Sequence, residues 1–133
     1  MFHSRLLKFL RQLKIKQELP TGVEVLNPFR DDAVFELCTK FYARFYNDDR
    51  QRTLILGINP GRFGAGLTGI PFTDPVKLGN RCGIANDLQK RTELSADFIY
   101  PMIDAYGGVD KFYGEFHFSS VSPLMVSVSG CSL

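Results

Sequence analysis

The sequence predicts an α/β fold with a mostly parallel sheet. Two short hydrophobic runs, "TLILGI" at 53–58 and "EFHFSSV" at 115–121, are typical of strands. Segments with helical spacing of apolar residues precede and separate them. Strands that alternate with helices pair in parallel, because the helix returns the chain to the same end of the sheet. We expect the first run to form the central strand, buried on both faces.

The first 20 residues predict an amphipathic helix. In "RLLKFLRQLKIK", apolar residues recur at helical spacing, and lysines and arginines occupy the other faces. The apolar residues are Leu6, Leu7, Leu10 and Leu13. We expect the leucines to dock this helix on the core; the alternative is a basic face that contacts a phosphate backbone or a membrane surface. The segment lacks the features of a signal peptide, and no stretch is long enough to span a membrane.

The middle of the chain predicts further helices. Asp31 and Asp32 can cap a helix that continues to about residue 45. Its aromatic residues have helical spacing and are expected to fill the core rather than a ligand site. They are Phe41, Tyr42, Phe45 and Tyr46. The segment 83–109 predicts one or two helices that end at Gly107 and Gly108, and Pro123 stops the second strand.

Length and composition indicate one soluble domain. We expect residues 1–133 to form a single domain, because a chain of 133 residues can bury a sizeable core and no linker or repeat interrupts it. The formal net charge of +2 is too small to indicate nucleic-acid binding by itself. Cys38, Cys82 and Cys131 lack the spacing of a zinc site or a disulfide framework, which indicates reduced thiols in a cytoplasmic protein.

A glycine-rich stretch follows the first strand and begins a long loop that continues to about Asn80. Gly64, Gly66 and Gly69 formally make a G-x-G-x-x-G pattern. However, the strand ends at Ile58, too early for a dinucleotide fingerprint, and prolines rather than a helix follow the glycines. No Gly-Lys-Ser/Thr closes a phosphate-binding loop either. We therefore do not expect a nucleotide cofactor.

Asn59 stands where the first strand ends, the place where open α/β sheets bind ligands. Its carboxamide does not titrate and suits holding a water or reading an amide-like ligand. Pro60 restricts the backbone, and Gly61 allows close approach. Phe63 and Phe72 could stack on a planar ligand. In the alternative reading, Asn59 closes an Asx turn and the phenylalanines fill the core.

The stretch "GINPGRFGAGLTGIPF" resembles the first catalytic motif of the uracil-DNA glycosylase superfamily. It most resembles the single-strand-selective monofunctional branch, whose pattern is Gly-Met-Asn-Pro-Gly-x-Phe-Gly-x-x-x-Thr-Gly-Val-Pro-Phe, and within it a bacterial offshoot. The matching positions are Gly57, Asn59, Pro60, Gly61, Phe63, Gly64, Thr68, Gly69, Pro71 and Phe72. Weaker likenesses occur at the Asn-Pro of 27–28 and the Ser-Pro-Leu of 122–124.

The resemblance implies a three-layer α/β/α fold and a base-excision repair hydrolase that acts on DNA. Asn59 would hold a water against C1′ of a flipped nucleotide, and Phe72 would stack on its base, uracil or another deaminated base. Around the base the resemblance further assigns Gly57, Ile58, Gly61, Phe63 and Ser120, and at the DNA it assigns Pro60 and Arg62. It implies no cofactor and no metal. The partner would be single- or double-stranded DNA, with no membrane, and the complete domain would be a monomer.

The sequence departs from the family pattern in two respects. The family's second motif, His-Pro-Ser-Pro, does not occur, and only His3 and His117 could replace its histidine. Family domains are also longer, so we expect an incomplete sheet, the N-terminal part of the fold, and little activity without the second motif. Ser120 stands where the vertebrate enzymes carry an asparagine that reads uracil, which leaves the base unassigned. The alternative function is a non-catalytic α/β module or degenerate fragment that binds nucleic acid weakly.

Overall fold

The structure, a computed structural model, describes residues 1–128 and 131–132. The helices are α1 Phe2–Gln12, α2 Asp32–Phe45, α3 Ala65–Thr68, α4 Pro75–Asn80, α5 Leu94–Tyr106 and α6 Val109–Glu115, with a 3₁₀ turn at Pro28–Arg30. The strands are β1 Val23–Leu26, β2 Thr53–Gly57, β3 Phe116–Ser120, β4 Met125–Val128 and β5 Cys131–Ser132. Within the segment 83–109, the predicted helix that ends at Gly107 is α5, and residues 83–93 form no helix.

Helix α1 ends at Gln12, so the predicted helix over the first 20 residues was too long. It packs against α2 through its leucines, as their spacing predicted. Leu7 and Leu10 are buried. Part of the basic face is engaged in ion pairs with the rest of the chain rather than open to a partner. These pairs are Arg5 with Asp49 and Arg11 with Asp32. The expected docking of α1 on the core is therefore confirmed.

Helix α2 carries the centre of the core. Asp31 caps it, because its carboxylate accepts hydrogen bonds from the backbone N–H groups of Ala33 and Val34. The four aromatic residues at its C-terminal end are all buried. Phe41, Phe45 and Tyr46 pack around Tyr113 of α6, with ring centroids 5.2, 5.0 and 6.0 Å away. The interpretation of these rings as core is confirmed.

Strands β2 and β3 form a parallel pair, with Gly57 opposite Ser120. Helices cover both faces of β3. On one face His117 contacts aromatic rings of α1 and α2, and on the other Phe118 packs on Phe112 of α6, with ring centroids 5.3 Å apart. The α/β class and the layering of helices on both sides of a parallel strand are therefore confirmed.

The prediction that β2 is central and fully buried is wrong for the described part of the chain. Among the described strands, β2 pairs only with β3, so it lies at the edge. Leu54 and Leu56 are 54% and 57% exposed. They share a face with His117, but α1 and α2 cover that face over β3 and do not reach across β2. A run of apolar residues indicates a strand that can be buried, and does not show what covers it.

A second sheet was not predicted. Strands β1, β4 and β5 pair antiparallel in the order β1-β4-β5, with Val25 opposite Val126. The strands are only two to four residues long, so their sequences carry little alternation to recognise. β4 begins directly after the Ser-Pro-Leu of 122–124, and the sheet places that turn beside the glycine-rich loop.

Two of the three cysteines lie in the described core. Cys38 and Cys82 are buried and free. Burial raises the pKa of the Cys38 thiol to about 12 and that of Cys82 to about 11, which keeps both protonated. The side chain of Cys131 lies outside the described residues. In those ranges no helix has the length and apolarity needed to cross a membrane, and no cluster of three or more His, Cys, Asp or Glu could hold a metal ion.

Candidate functional site

The two parallel strands stay together beyond their ends and so build one rim of a cleft. The carbonyl of Gly57 accepts a hydrogen bond from the Val121 N–H at 2.9 Å, and that of Ile58 accepts one from the Ser122 N–H at 3.1 Å. Asn59 and Ser120 are thereby held at the same edge of the sheet. This is the edge where the sequence analysis expected a ligand.

A cleft of about 310 Å³ opens at this edge. The residues that line it come from the glycine-rich loop, the start of α5 and the end of β3. They are Asn59, Pro60, Gly61, Arg62, Ala65, Pro71, Phe72, Glu93, Ser95 and Ser120. Six of the nine predicted site residues therefore meet around one cavity that is large enough for a nucleotide base.

Asn59 is exposed in this cleft. Its carboxamide makes no hydrogen bond to any residue that the structure describes, so the Asx turn of the alternative reading is not formed. Pro60, the next residue, is buried and anchors the loop directly after it. The Asn59 carboxamide has no hydrogen bond to give up among the described residues, and the buried Pro60 holds its backbone. It can therefore orient a ligand or a water without first breaking a bond within the protein.

Phe72 is held in an uncommon backbone conformation. Its φ of 55° is the only positive value at a non-glycine residue in the described chain. A conformation of this kind costs of the order of 1 kcal/mol and persists where the surroundings impose it. The ring covers Gly57, where an added Cβ would lie 3.1 Å from the ring tip, and its neighbour Phe118 is in edge contact at 4.8 Å. A side chain at Gly57 would therefore press against the Phe72 ring.

A buried hydrogen-bond network fixes the loop that carries Phe72. Thr68 is fully buried, its hydroxyl donates to the Thr73 carbonyl at 2.7 Å, and it accepts from the Ile70 N–H at 3.1 Å. The Thr73 hydroxyl in turn bonds the Tyr100 hydroxyl of α5 at 2.7 Å. These bonds give the loop a single conformation despite its glycines. Sequence reasoning matched Thr68 to a motif but assigned no role to this network.

The start of α5 is tied to the same loop by Asp74. This carboxylate is fully buried and caps α4 by accepting from the Lys77 N–H at 2.8 Å. Its second oxygen accepts from the backbone N–H of Glu93 at 3.0 Å and lies 3.6 Å from the Lys77 ammonium. Asp74 therefore positions Glu93 over the cleft.

The side chain of Glu93 lies against the backbone of the glycine-rich loop. A Cβ added at Gly61 or Gly64 would overlap its carboxylate, so the carboxylate can keep this position only with glycine at both places. Its Oε2 atom is buried and has no hydrogen-bond partner among the described residues. Burial, and secondarily the charge of Asp74, raises the pKa of Glu93. The glycines in the sequence indicated that another group approaches the loop closely, but no sequence feature identified that group as Glu93.

Three predicted residues lie away from the cleft wall. Gly57 lies beneath the Phe72 ring, and Ile58 is 82% exposed. Phe63 lines an adjacent depression, where the guanidinium groups of Arg62 and Arg91 lie 5.5 and 4.8 Å from its ring centroid. Arg62 thus reaches both the cleft and this depression.

His117 does not take the place of the second motif's histidine. It is absent from the lining of the cleft, and its ring packs edge-on against Phe2 and Tyr46, with centroids 5.1 and 5.2 Å away. Burial lowers the pKa of His117 to about 4, so the imidazole is neutral at physiological pH. Its Nδ1 atom has no hydrogen-bond partner in the described part of the chain.

Similarity to a solved structure identifies the family of this chain. No family model and no curated protein matches the chain. Among solved structures, the crystal structure of wild-type SMUG2 from Pedobacter heparinus matches 96% of the chain, with 43% sequence identity and a TM-score of 0.91. The chain belongs to the SMUG-like branch of the uracil-DNA glycosylase superfamily. It spans 55% of the length of that SMUG2 chain.

Membership of the SMUG-like branch confirms the resemblance found in the motif at 57–72. The family's α/β fold and the position of that motif, directly after a parallel strand, are both present. In this SMUG-like chain the motif asparagine and the motif phenylalanine, Asn59 and Phe72, line one cleft.

Proposed function

We propose that this chain acts as a DNA glycosylase, which hydrolyses the N-glycosidic bond of uracil or another deaminated base flipped out of DNA. The observation that supports it best is the placement of Asn59 and Phe72. An uncommitted carboxamide and an aromatic ring, held by a strained backbone, line the same cleft at the end of a parallel strand. A planar base between them would have its sugar near the carboxamide.

The proposed mechanism relies on positioning. Asn59 holds a water against C1′ through its side-chain oxygen, and Phe72 holds the base by stacking. The bond between C1′ and the base nitrogen breaks through an oxocarbenium-like state, and the base leaves as an anion. Because Asn59 does not titrate, it contributes geometry rather than proton transfer.

Ser120 supports a broad choice of base. It lies in the cleft lining, where a hydroxyl offers one donor and one acceptor that rotate together. A carboxamide would present a donor and an acceptor side by side and would read one base edge strictly. With a hydroxyl, uracil and other deaminated bases are comparable ligands.

We assign contacts with the DNA phosphates to the arginines beside the cleft. Arg62 lies at the cleft and Arg91 lies over Phe63. Guanidinium groups at this rim suit phosphate oxygens, and such contacts weaken as salt is added. Pro60 anchors the same rim.

A second candidate is a module that binds DNA without cleaving the glycosidic bond. The position of His117 favours it, because this histidine packs among aromatic rings and no histidine lines the cleft in the described residues. An imidazole that stabilises the departing base anion is the feature of the family's second motif.

Single-turnover assays separate the two candidates. The purified chain, in excess, is incubated with uracil-containing single- and double-stranded oligonucleotides, and abasic sites are cut with alkali. Binding is measured in parallel by gel shift on DNA with 2′-fluoro-deoxyuridine, which resists hydrolysis. Cleavage supports the glycosylase, and uracil-dependent binding without cleavage supports the module. Absence of both cleavage and DNA binding would overturn both.

A further inference from the structure

We propose that the carboxylate of Glu93 accepts the proton of the attacking water, as a second catalytic residue beside Asn59. This inference rests on the proposed function, because it concerns the same cleft and the same reaction. It assigns a role to a residue that neither the first motif nor the second motif contains.

The chemistry of hydrolysis leaves a need that Asn59 does not meet. When water adds to C1′, one of its protons must leave, and a carboxamide does not accept it. Among the described residues that line the cleft, the side chains that titrate are those of Glu93 and Arg62, and a guanidinium stays protonated. Glu93 is therefore the lining group whose chemistry suits a proton acceptor.

The geometry holds this carboxylate at the motif loop. Asp74 fixes the Glu93 backbone N–H, and the missing side chains of Gly61 and Gly64 leave the space that the carboxylate occupies. Gly61 is two residues from Asn59, so the acceptor and the proposed water holder share one short stretch of backbone. Glu93 is the N-cap residue of α5 but makes no side-chain capping bond, so its carboxylate is not used by the helix.

A proton acceptor needs an oxygen that is not already used in a hydrogen bond within the protein, and Glu93 has one. Oε2 of Glu93 is buried and has no partner among the described residues, although most buried polar atoms are paired. The atom has almost no exposed surface, so a small shift of the side chain must accompany its pairing with a water or a substrate donor. When a ligand pairs this oxygen, the free-energy cost of its unpaired burial is removed, which favours occupation of the site.

The charges around Glu93 suit this task. Asp74, which caps α4, accepts from the Glu93 N–H, and Lys77 lies 3.6 Å from the same Asp74 oxygen. Arg62 lies in the motif loop, and Asp97 on α5 pairs with Lys77 at 2.6 Å. Ser120 of β3 adds no charge. Burial and Asp74 together raise the pKa of Glu93, which makes its carboxylate a stronger base than a fully solvated one.

The step balances as follows. The water oxygen forms a bond to C1′ while the bond from C1′ to the base nitrogen breaks, and the electron pair of that bond leaves with the base. The proton of the water passes to Glu93, which becomes a neutral carboxylic acid. That proton then returns to solvent or to the departing base anion. The ionised carboxylate also stabilises the positive charge that develops on the sugar.

A binding experiment tests the charge of Glu93 independently of turnover. Affinity is measured for DNA with a cationic pyrrolidine in place of the sugar, which mimics the oxocarbenium state, and for DNA with a neutral tetrahydrofuran abasic site. In the full chain, Glu93→Gln should weaken pyrrolidine binding by about tenfold or more and leave tetrahydrofuran binding nearly unchanged. Asp104→Asn is the matched control, because it removes one exposed carboxylate elsewhere on α5.

The pH dependence of base release is the second readout. Single-turnover rates of the unmodified chain should rise with pH as Glu93 ionises, and Glu93→Gln should lose this dependence together with about 10²–10⁴ in rate. If Glu93→Gln changes neither the pyrrolidine preference nor the pH profile while uracil DNA still binds, the inference is overturned and the proposed function stands. If the unmodified chain binds neither analogue better than undamaged DNA, both are overturned.

Discussion

The edge of the Phe118 ring supports the Phe72 ring, with centroids 4.8 Å apart and planes at 67°. Phe118 belongs to β3, so the sheet rather than the loop sets the orientation of the aromatic face in the cleft. This contact, with the close fit over Gly57, explains how Phe72 keeps a φ of 55°. Orientation imposed by the sheet suits a ring that must be ready to stack before a base arrives.

The first prediction concerns stacking by Phe72. Phe72→Ala should weaken binding to DNA with 2′-fluoro-deoxyuridine by about 1–3 kcal/mol, because the flipped base loses its aromatic partner. Phe72→Tyr should bind nearly as well, since the ring face persists. Phe98→Ala is the control, because Phe98 is 72% exposed on α5 and does not line the cleft. Equal weakening on tetrahydrofuran DNA, which has no base, would contradict a stacking role.

The second prediction concerns Asn59. Asn59→Ala should slow base release by at least about 10²-fold and leave gel-shift affinity for uracil DNA nearly unchanged, because water positioning acts on the chemical step. Asn47→Ala, at another exposed asparagine, should have no effect on either. Parallel losses of affinity and rate would mean that Asn59 binds substrate rather than orients water.

The third prediction tests the contact between Glu93 and the loop glycines. Gly61→Ala should lower the free energy of unfolding by about 1–3 kcal/mol, because the new methyl group overlaps the Glu93 carboxylate. The loss should be smaller in a Glu93→Ala background, since the obstacle is gone. Gly79→Ala in α4 is the control, where the nearest atom is 4.0 Å away. Additive effects in the double variant would show that the two residues do not touch.

The fourth prediction is a pH dependence of stability from His117. Its pKa is lowered from 6.5 to about 4 on folding, so between these values the unfolded chain binds the proton and the folded chain does not. Stability should therefore fall as pH drops from about 6.5 to about 4, by about 1–3 kcal/mol after allowance for partial exposure. Denaturant unfolding of His117→Phe should show a flatter profile in this window. An unchanged slope would mean that other groups carry the effect.

The fifth prediction concerns the rate of the 133-residue chain. We expect base release to be about 10²–10³ slower than in a family member with the His-Pro-Ser-Pro motif, by analogy with removal of one oxyanion donor. DNA binding should survive better than catalysis and should weaken with added salt. Side-by-side single-turnover assays on uracil DNA measure this. Comparable rates would mean that a group other than the motif histidine stabilises the departing base.

Much of the fold followed from local patterns. Leucine spacing predicted α1, Asp31 predicted the start of α2, and Gly107 predicted the end of α5. Each depends on neighbours within one or two turns, which a sequence displays directly. The exposure of Leu54 was not predicted, because it depends on how far α1 and α2 extend across the sheet. The antiparallel sheet was missed because pairing of its short strands is set by contacts that are distant in sequence.

The sequence by itself indicated the family through its motif, the strand-to-loop turn that carries Asn59, and Phe72 as an aromatic residue in the same loop. These features lie within 16 consecutive residues, 57–72, and backbone restriction by glycine and proline makes their spacing specific. The tertiary structure alone decided that Glu93, more than 30 residues away from Asn59, lies in the same cleft, and that His117 does not. A hydrogen bond from its backbone N–H to Asp74, and the space left by Gly61 and Gly64, place Glu93 in the cleft. Aromatic packing against Phe2 of α1 and Tyr46 at the end of α2 holds His117 away from it. Such placements arise from packing between distant segments, which no local pattern encodes.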